Sequence, residues 1–118
     1  MKTLVIGATP NEERFAYKAV RLLCNYGHEV IPLGIKKGKI EDLEIIPGKP
    51  EFTDIHTVSL YVGPERQPEY YDYVIGLKPK RIIFNPGTEN EEFILMAEMH
   101  KIETVQNCTL VMLNSGIF

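Results

Sequence analysis

A short turn near the start of the chain has the composition of a phosphate-binding site. The residues Gly7-Ala8-Thr9-Pro10 follow the apolar run Thr3–Ile6 and precede a segment with helical spacing. Gly7 allows a tight backbone turn at little steric cost. A turn from a strand into a helix directs backbone N–H groups and the positive helix end at one spot, which suits a phosphate. A tight turn without a ligand is the alternative that the sequence leaves open.

Three cations fall where they would reinforce such a site. Arg14 lies in the first turn of the predicted helix, where a cation opposes the helix dipole unless an anion offsets it. Lys36 and Lys37 follow the second predicted strand, where an NAD-binding enzyme would carry an acidic residue for the ribose. Lysines at this place suit an extra phosphate on the ribose. A solvated surface arginine and a solvated basic loop are the alternatives.

The first turn lacks the dinucleotide fingerprint. Residues 7–12 read G-A-T-P-N-E, so two of the three glycines of G-x-G-x-x-G are missing. This departure, together with the absent acid after the second strand, argues against an enzyme that uses NAD or another nucleotide. That class of protein is kept as an alternative.

Cysteine and histidine offer little chemistry beyond one thiol. Cys108 follows the last predicted strand, so it is the one candidate for covalent work near the turn. An inert buried cysteine is the favoured interpretation, because nothing in the sequence indicates an activated thiolate. Cys24 lies within a helical pattern and is interpreted as structural. His28, His56 and His100 lack the spacing of a metal or catalytic site, so we expect no metal.

Length and composition predict one domain over residues 1–118. A hydrophobic content of 44% and a charged content of 25% are ordinary for a globular chain. The net charge of −3 argues against nucleic-acid binding, which normally requires a basic face. No apolar run approaches the ~20 residues of a membrane span, and the first residues show no cleavage-site pattern. Two cysteines are too few for a disulfide scaffold, so we expect a cytoplasmic protein.

Strand and helix patterns alternate along the chain. The predicted strands are Thr3–Ile6, Glu29–Leu33, Thr57–Val62, Arg81–Phe84 and Glu103–Gln106. The predicted helices begin near Glu12 or Glu13 and end near Tyr26, extend from Pro68 to Leu77, and follow Thr88–Glu91, which fits a capping box. The alternation predicts an α/β fold, with a mainly parallel sheet of about five strands and helices on both faces. Ligands bind such sheets at the carboxyl ends of the strands.

Three local features complete this prediction. Thr9 or Asn11 is expected to cap the first helix. The segment 34–53 carries glycines and prolines but no helical stripe, so we expect a loop with one or two short extended pieces and a small edge pairing. The second crossover would then lack its helix. The apolar tail Leu110–Leu113 is expected to pack against the sheet edge.

Several motifs together resemble one family. The pattern V-I-G-A-T-P…R-x-x-Y-K-A…L-x-x-x-G-H-E-V-I-P-L is similar to that of the small stand-alone CoA-binding domains. These domains are similar to the CoA-binding domain of the succinyl-CoA synthetase α subunit. The runs Ile83–Glu91 and Val105–Cys108 resemble the family's later strand endings. The likeness covers nearly the whole chain and is weakest from residue 34 to residue 54.

The resemblance implies a Rossmann-like fold that binds CoA or an acyl-CoA. It assigns the pyrophosphate to the turn that contains Gly7, Ala8, Thr9 and Pro10, with Arg14 and Tyr17 beside the ligand. It assigns the 3′-phosphate to Lys36 and Lys37, and the pantetheine path to Gly63-Pro64, Asn85, Pro86 and Gly87. Tyr17 is equally interpreted as a packing residue, and residues 85–87 as a simple turn. The loop after Leu33 departs from the family's V-N-P-like ending.

The resemblance also bears on catalysis. The synthetases use a phosphorylated histidine on a separate domain and a second subunit, and neither fits in this sequence of 118 residues. We therefore expect a non-catalytic or regulatory module. The alternatives are a subunit or homo-oligomer that docks through the apolar tail Leu110–Phe118, and a redox-responsive module in which Cys108 forms a mixed disulfide with CoA.

Overall fold

The structure is a computed structural model and describes residues 1–118. Its strands are β1 Thr3–Ile6, β2 Val30–Leu33, β3 Lys39–Ile40, β4 Leu43–Glu44, β5 Thr57–Leu60, β6 Arg81–Phe84 and β7 Glu103–Gln106. Its helices are α1 Phe15–Asn25, a 3₁₀ helix Pro64–Tyr70, α2 Tyr71–Leu77, α3 Glu91–Met99 and α4 Thr109–Asn114. No helix is long and apolar enough to cross a membrane.

The five longer strands form one parallel sheet in the order β2-β1-β5-β6-β7. Thr3 lies level with Val30 on one side and with Thr57 on the other, so three neighbouring strands end together. The chain leaves β1 toward β2 and then returns to place β5 on the opposite side of β1. The strand order therefore reverses between β1 and β5, and such a reversal opens a crevice at the carboxyl ends of the two strands.

Both faces of this sheet are buried. All four residues of β1 are inaccessible or nearly so, as expected of a central strand in a parallel sheet. Leu4 and Ile6 face a cluster with the 3₁₀ helix, α2 and α3, whereas Val5 faces a cluster with α1 and α4. The predicted α/β fold with helices on both faces is confirmed.

A hairpin replaces the helix of the second crossover, as predicted. Strands β3 and β4 pair antiparallel, and Ile40 and Ile45 join the core beneath α1. Ile46 then donates its backbone N–H to the Pro32 carbonyl at 2.9 Å and accepts from Gly34 N–H at 3.0 Å. These bonds cover part of the outer edge of β2. Without them, this edge strand would expose unpaired N–H and C=O groups.

The first helix begins later than predicted. Asn11 accepts the Glu13 N–H on its side chain at 3.0 Å and the Arg14 N–H on its carbonyl at 3.1 Å. Thr9 accepts the N–H of Asn11 at 3.3 Å. Both predicted caps thus stabilise a turn that precedes α1, and the helix itself starts at Phe15.

Three other boundaries also need correction. The third long strand ends at Leu60 and not at Val62. The predicted helix 68–77 is divided between the 3₁₀ helix and α2, because Pro68 lies inside the 3₁₀ helix and lacks the N–H that a continuous α-helix would use. Helix α3 is capped by Asn90, whose side chain accepts the Phe93 N–H at 3.2 Å, and not by Thr88.

The apolar tail forms helix α4, which packs beside α1 and not against the sheet edge. Leu113 shares a core cluster with Val20 and Leu23 of α1. The Thr109 hydroxyl bonds to the Ser59 hydroxyl at 2.8 Å and so ties the start of α4 to β5. Met112 and Leu113 of the tail are buried by their own domain, whereas Val111 and Ile117 are more than half exposed, so docking of a partner through the tail stays a prediction.

Candidate functional site

A cleft of about 380 Å³ lies where β1 and β5 end. Gly7 follows β1, and Tyr61 and Gly63 follow β5. The opposite wall is the start of α1, and Pro86-Gly87-Thr88 after β6 closes one end. The full lining is Gly7, Thr9, Glu13, Arg14, Phe15, Ala16, Tyr61, Gly63, Pro86, Gly87 and Thr88. The segments that follow β1, β5 and β6 thus meet at the carboxyl edge of the sheet.

Backbone contact at the floor of this cleft requires glycine. Gly7 has a φ of +98°, and a Cβ there would lie 2.9 Å from the carbonyl carbon and oxygen of Tyr61. A Cβ on Gly34 would collide with the carbonyl oxygen of Ala8. Both positions lack space for a methyl group, so the exits of β1, β2 and β5 are held in backbone contact.

Two amides of the first turn are already occupied. Gly7 N–H and Ala8 N–H both donate to the Leu33 carbonyl, each at 2.9 Å. These amides hold β1 to β2 and are not available to a phosphate. In this turn only the N–H of Thr9, which lines the cleft, is left without an acceptor.

A set of three neighbouring free amides lies at the start of α1. The N–H groups of Phe15, Ala16 and Tyr17 have no acceptor within the protein, as is usual for the first turn of a helix. Arg14, at the cap position, makes no side-chain cap, and the first turn contains no acidic residue. This end of the 11-residue helix thus combines unpaired N–H groups with the positive pole of the helix dipole.

A smaller recess of about 150 Å³ adjoins the cleft and shares Gly7, Arg14 and Tyr61 with it. Its lining adds Lys36 and Arg66, so three cations surround one space. Arg66 lies 3.8 Å from the Glu69 carboxylate, but both side chains are about half exposed, so this pair is weak. Arg14 and Lys36 form no salt bridge. Three cations with so little carboxylate compensation favour an anionic ligand.

A third recess, of about 320 Å³, continues from the second and shares Gly34, Ile35 and Tyr70 with it. Ile35 is largely exposed, and the Lys49 ammonium lies 5.3 Å from the centre of the Tyr70 ring. The exposed Ile35 side chain gives an aromatic ring an apolar surface to pack on, whereas Tyr70 is only 8% exposed. The three recesses form one path across the carboxyl edge of the sheet.

Five predicted site residues lie away from this path, and two of them, Asn85 and Cys108, are described below. Tyr17 is only 8% exposed and packs in the core with Val20, and its hydroxyl lies 3.4 Å from a Glu12 carboxylate oxygen. Pro10 lies next to Gly38, and Lys37 is exposed on the loop without lining any of the three recesses. The position of Tyr17 matches its alternative interpretation as a packing residue.

Asn85 lies beneath the cleft and not on its wall. Its side chain is 1% exposed, and its Nδ2 donates to Ser59 Oγ at 2.9 Å and to the Leu60 carbonyl at 2.8 Å. Its Oδ1 accepts the Thr109 N–H at 2.8 Å. Asn85 therefore connects β5, β6 and α4, while its neighbours Pro86 and Gly87 form the wall.

The thiols and the buried tyrosine show no arrangement for covalent catalysis. Cys108 is half-buried before α4 and lines none of the three recesses. Partial burial, followed by the Glu41 carboxylate, raises the pKa of Cys24, which keeps that thiol protonated. The Tyr61 hydroxyl is buried without a hydrogen-bond partner, and its burial strongly raises its pKa. No group of three metal-ligating side chains is close enough to hold an ion.

Arg66 is the cation of the second recess that the sequence analysis did not predict. It lies in the 3₁₀ helix, between Pro64 and the predicted helix start at Pro68, where no element was predicted. The position of Arg66 in the chain could have indicated its place in the site, because Arg66 follows the end of β5 at the point where the strand order reverses.

Comparison with solved structures supports this description of the fold. One crystal structure of an uncharacterised protein is 50% identical, with a TM-score of 0.97, and the match covers 99% of this chain and 97% of that one. A Thermus thermophilus protein known as cell-free ID.343 has a TM-score of 0.86 at 18% identity, covering 99% of this chain and 90% of that one. A hypothetical protein from Pyrococcus horikoshii OT3 has a TM-score of 0.82 at 24% identity, covering 98% and 82%.

The two more distant structures show a shared fold and nothing further. No curated protein matches the chain. The model of one family, described as a CoA binding domain, matches residues 1–114, which is nearly the whole sequence. Because its match extends over both the sheet and the path described above, this protein belongs to the CoA binding domain family.

Proposed function

We propose that the path across the carboxyl edge binds CoA or an acyl-CoA, with the pyrophosphate at the start of α1. The observation that carries this proposal is the set of unpaired N–H groups at Phe15, Ala16 and Tyr17 beside the Arg14 side chain. A diphosphate there would accept hydrogen bonds that the protein leaves unmade, and the helix dipole would stabilise its charge. Family membership supports CoA as the carrier of that diphosphate.

The chemistry of the recesses gives the ligand a direction. Lys36 and Arg66 suit the 3′-phosphate, because they add two cations on the side of Arg14 that faces away from the main cleft. The largely exposed Ile35 suits the adenine ring, which packs against apolar surface. The pantetheine arm would then extend the other way, over Gly63 and Pro86-Gly87.

The proposed role is binding without catalysis by this chain alone. The cleft wall carries one carboxylate, Glu13, and no histidine or cysteine, so a nucleophile paired with a base is missing from it. A regulatory or carrier role is consistent with a cleft wall that lacks a nucleophile paired with a base. The two free thiols are consistent with the reducing cytoplasm. A mixed disulfide with CoA is not favoured, because Cys108 lies outside the three recesses.

Calorimetric titration with CoA, dephospho-CoA and NAD⁺ tests the proposal. We expect CoA to bind most tightly, dephospho-CoA more weakly because Lys36 and Arg66 lose their anion, and NAD⁺ weakly or not at all. An NAD-binding enzyme would carry an acidic residue near Lys36 for the ribose, and this chain has a cation there. Tighter binding of NAD⁺ than of CoA would reject the proposal.

A further inference from the structure

The outer face of α3 carries apolar side chains that nothing in the chain covers. Leu95 is 61% exposed and Met99 is 81% exposed. They lie four residues apart and therefore on one side of the helix. The opposite side of α3 is buried through Phe93 and Ala97, so the helix is apolar on both sides. Two neighbouring apolar side chains exposed on one helix face provide apolar surface that a partner could cover.

Charges at the two ends of this face are opposite in sign. Glu91 and Glu92 form the first turn of α3. His100 and Lys101 follow its last turn and line a recess of about 490 Å³ together with Lys78 and Lys80. The other acid of α3, Glu98, is exposed near the last turn and accepts the Thr104 hydroxyl at 3.1 Å.

This arrangement is complementary to itself. Along α3 the rise of about 1.5 Å per residue separates Glu91 from Met99 by about 12 Å, and His100 and Lys101 follow directly after the helix. Two copies of α3 that pack antiparallel, with a two-fold axis level with Met96, bring Glu91 and Glu92 of each copy beside Lys101 and His100 of the other. In a two-fold interface each such contact occurs twice.

We propose that the protein associates with a second copy of itself through an antiparallel α3–α3 contact. Leu95 and Met99 form the apolar centre, and the acidic first turn of each helix faces the basic recess of the other copy. The contact is small, since it rests mainly on one nine-residue helix per chain, so the dimer is weak and dissociates on dilution. The surface lies on the face of α3 that points away from the core and is independent of the ligand path.

Sedimentation velocity over a wide concentration range, with the full chain, tests this proposal. We expect a mass near the 13.5 kDa chain mass at low concentration and twice that mass at high concentration. High salt should shift the equilibrium toward the monomer, because the charge pairs at the rim are exposed. A monomer at every concentration would overturn the proposal, even if another protein were found on this face.

Matched variants test the surface. Leu95→Lys should abolish the dimer, whereas Val111→Lys should retain it, because Val111 is 54% exposed on α4, outside this face. The opposite result would locate the interface elsewhere. Glu91→Lys and Lys101→Glu should each weaken the dimer at least about tenfold, and the double variant should regain most of the lost affinity. A double variant as weak as the single ones, with unchanged melting temperatures, would contradict the antiparallel register.

Discussion

Gly7 lies directly against the backbone of Tyr61, with no room between them for a methyl group. The contact joins the exits of β1 and β5 and forms the floor of the cleft. A left-handed φ and a missing Cβ are both needed there, and glycine alone provides them without strain. The position is therefore fixed by the geometry of the fold before any ligand is considered.

Replacing Gly7 with alanine should destabilise the protein strongly. The left-handed backbone alone costs an L-residue roughly 1–2 kcal/mol, and the collision with Tyr61 adds to that. We expect a loss of about 2–4 kcal/mol in the free energy of unfolding, measured by urea denaturation.

Gly76→Ala is the control for this prediction. Gly76 lies in α2, has no positive φ and has open space where a Cβ would stand. That variant should be as stable as the wild type or gain up to about 1 kcal/mol. Equal stability of the two variants would contradict the role assigned to Gly7.

Replacing Arg14 with alanine should affect binding and not stability. Arg14 is exposed, forms no salt bridge and makes no cap, so its loss removes little from the folded state. We expect CoA affinity to fall between about tenfold and a hundredfold, as for the loss of a charged hydrogen bond. Arg21→Ala, on the same helix and away from the cleft, should bind CoA like the wild type in the same calorimetric titration.

Alanine variants of Lys36 and Arg66 should distinguish the binding of CoA from that of dephospho-CoA. If they bind the 3′-phosphate, alanine at either position lowers the affinity for CoA but leaves that for dephospho-CoA nearly unchanged. Lys37→Ala is the matched control, because Lys37 is the adjacent lysine but lines none of the three recesses. A proportionate loss for both ligands in Lys36→Ala and Arg66→Ala would assign the cations to the pyrophosphate.

Asn85 should behave as a structural residue despite its predicted place in the site. Asn85→Ala leaves the Thr109 N–H and the Leu60 carbonyl buried without their partner, and each lost pairing costs about 1–3 kcal/mol. We expect a clear loss of stability in urea with CoA affinity largely retained by the folded fraction. Normal stability with lost binding would return Asn85 to the site.

Stability should fall in mildly acidic solution. Burial, followed by the charge of nearby cations, lowers the pKa of His28 and of His56 below the ordinary value of 6.5. Each imidazole is thus held neutral in the folded protein, so its contribution to stability is present above pH 6.5 and is lost as the pH falls through the lowered folded value. Urea denaturation at several pH values should show this decline, and His28→Asn with His56→Asn should flatten it.

The fold was largely predictable because β1, β2, β5 and β6 are mostly apolar runs followed closely by glycine or proline, whereas β7 is mainly polar and was placed by the alternation of strands and helices. The errors of prediction occur where the same residues can form two different local structures. Asn11 can cap a helix or an isolated turn, and here it caps the turn before α1. Thr88 and Asn90 both suit a helix cap, and the Thr88 hydroxyl donates instead to the Asn85 carbonyl at 2.7 Å.

The segments that form the site were predictable from the sequence, but the individual residues that line it were less so. Arg14 lines the cleft and Tyr17, three positions later on α1, lies in the core, because only the helix orientation decides which side chain faces the crevice. The Gly7 and Ala8 amides were assigned to a phosphate, yet they bond to Leu33, a contact between strands that no local pattern reveals. Arg66 depends on how the 3₁₀ helix returns to the cleft, which is also a long-range feature.

The most direct test of the central claim is an amide NMR titration with CoA. If the start of α1 holds the pyrophosphate, the N–H signals of Phe15, Ala16 and Tyr17 should shift strongly as those groups gain acceptors. The signals of Gly7 and Ala8 should move less, because their bonds to Leu33 persist. CoA that binds while the α1 signals remain unchanged would contradict this account.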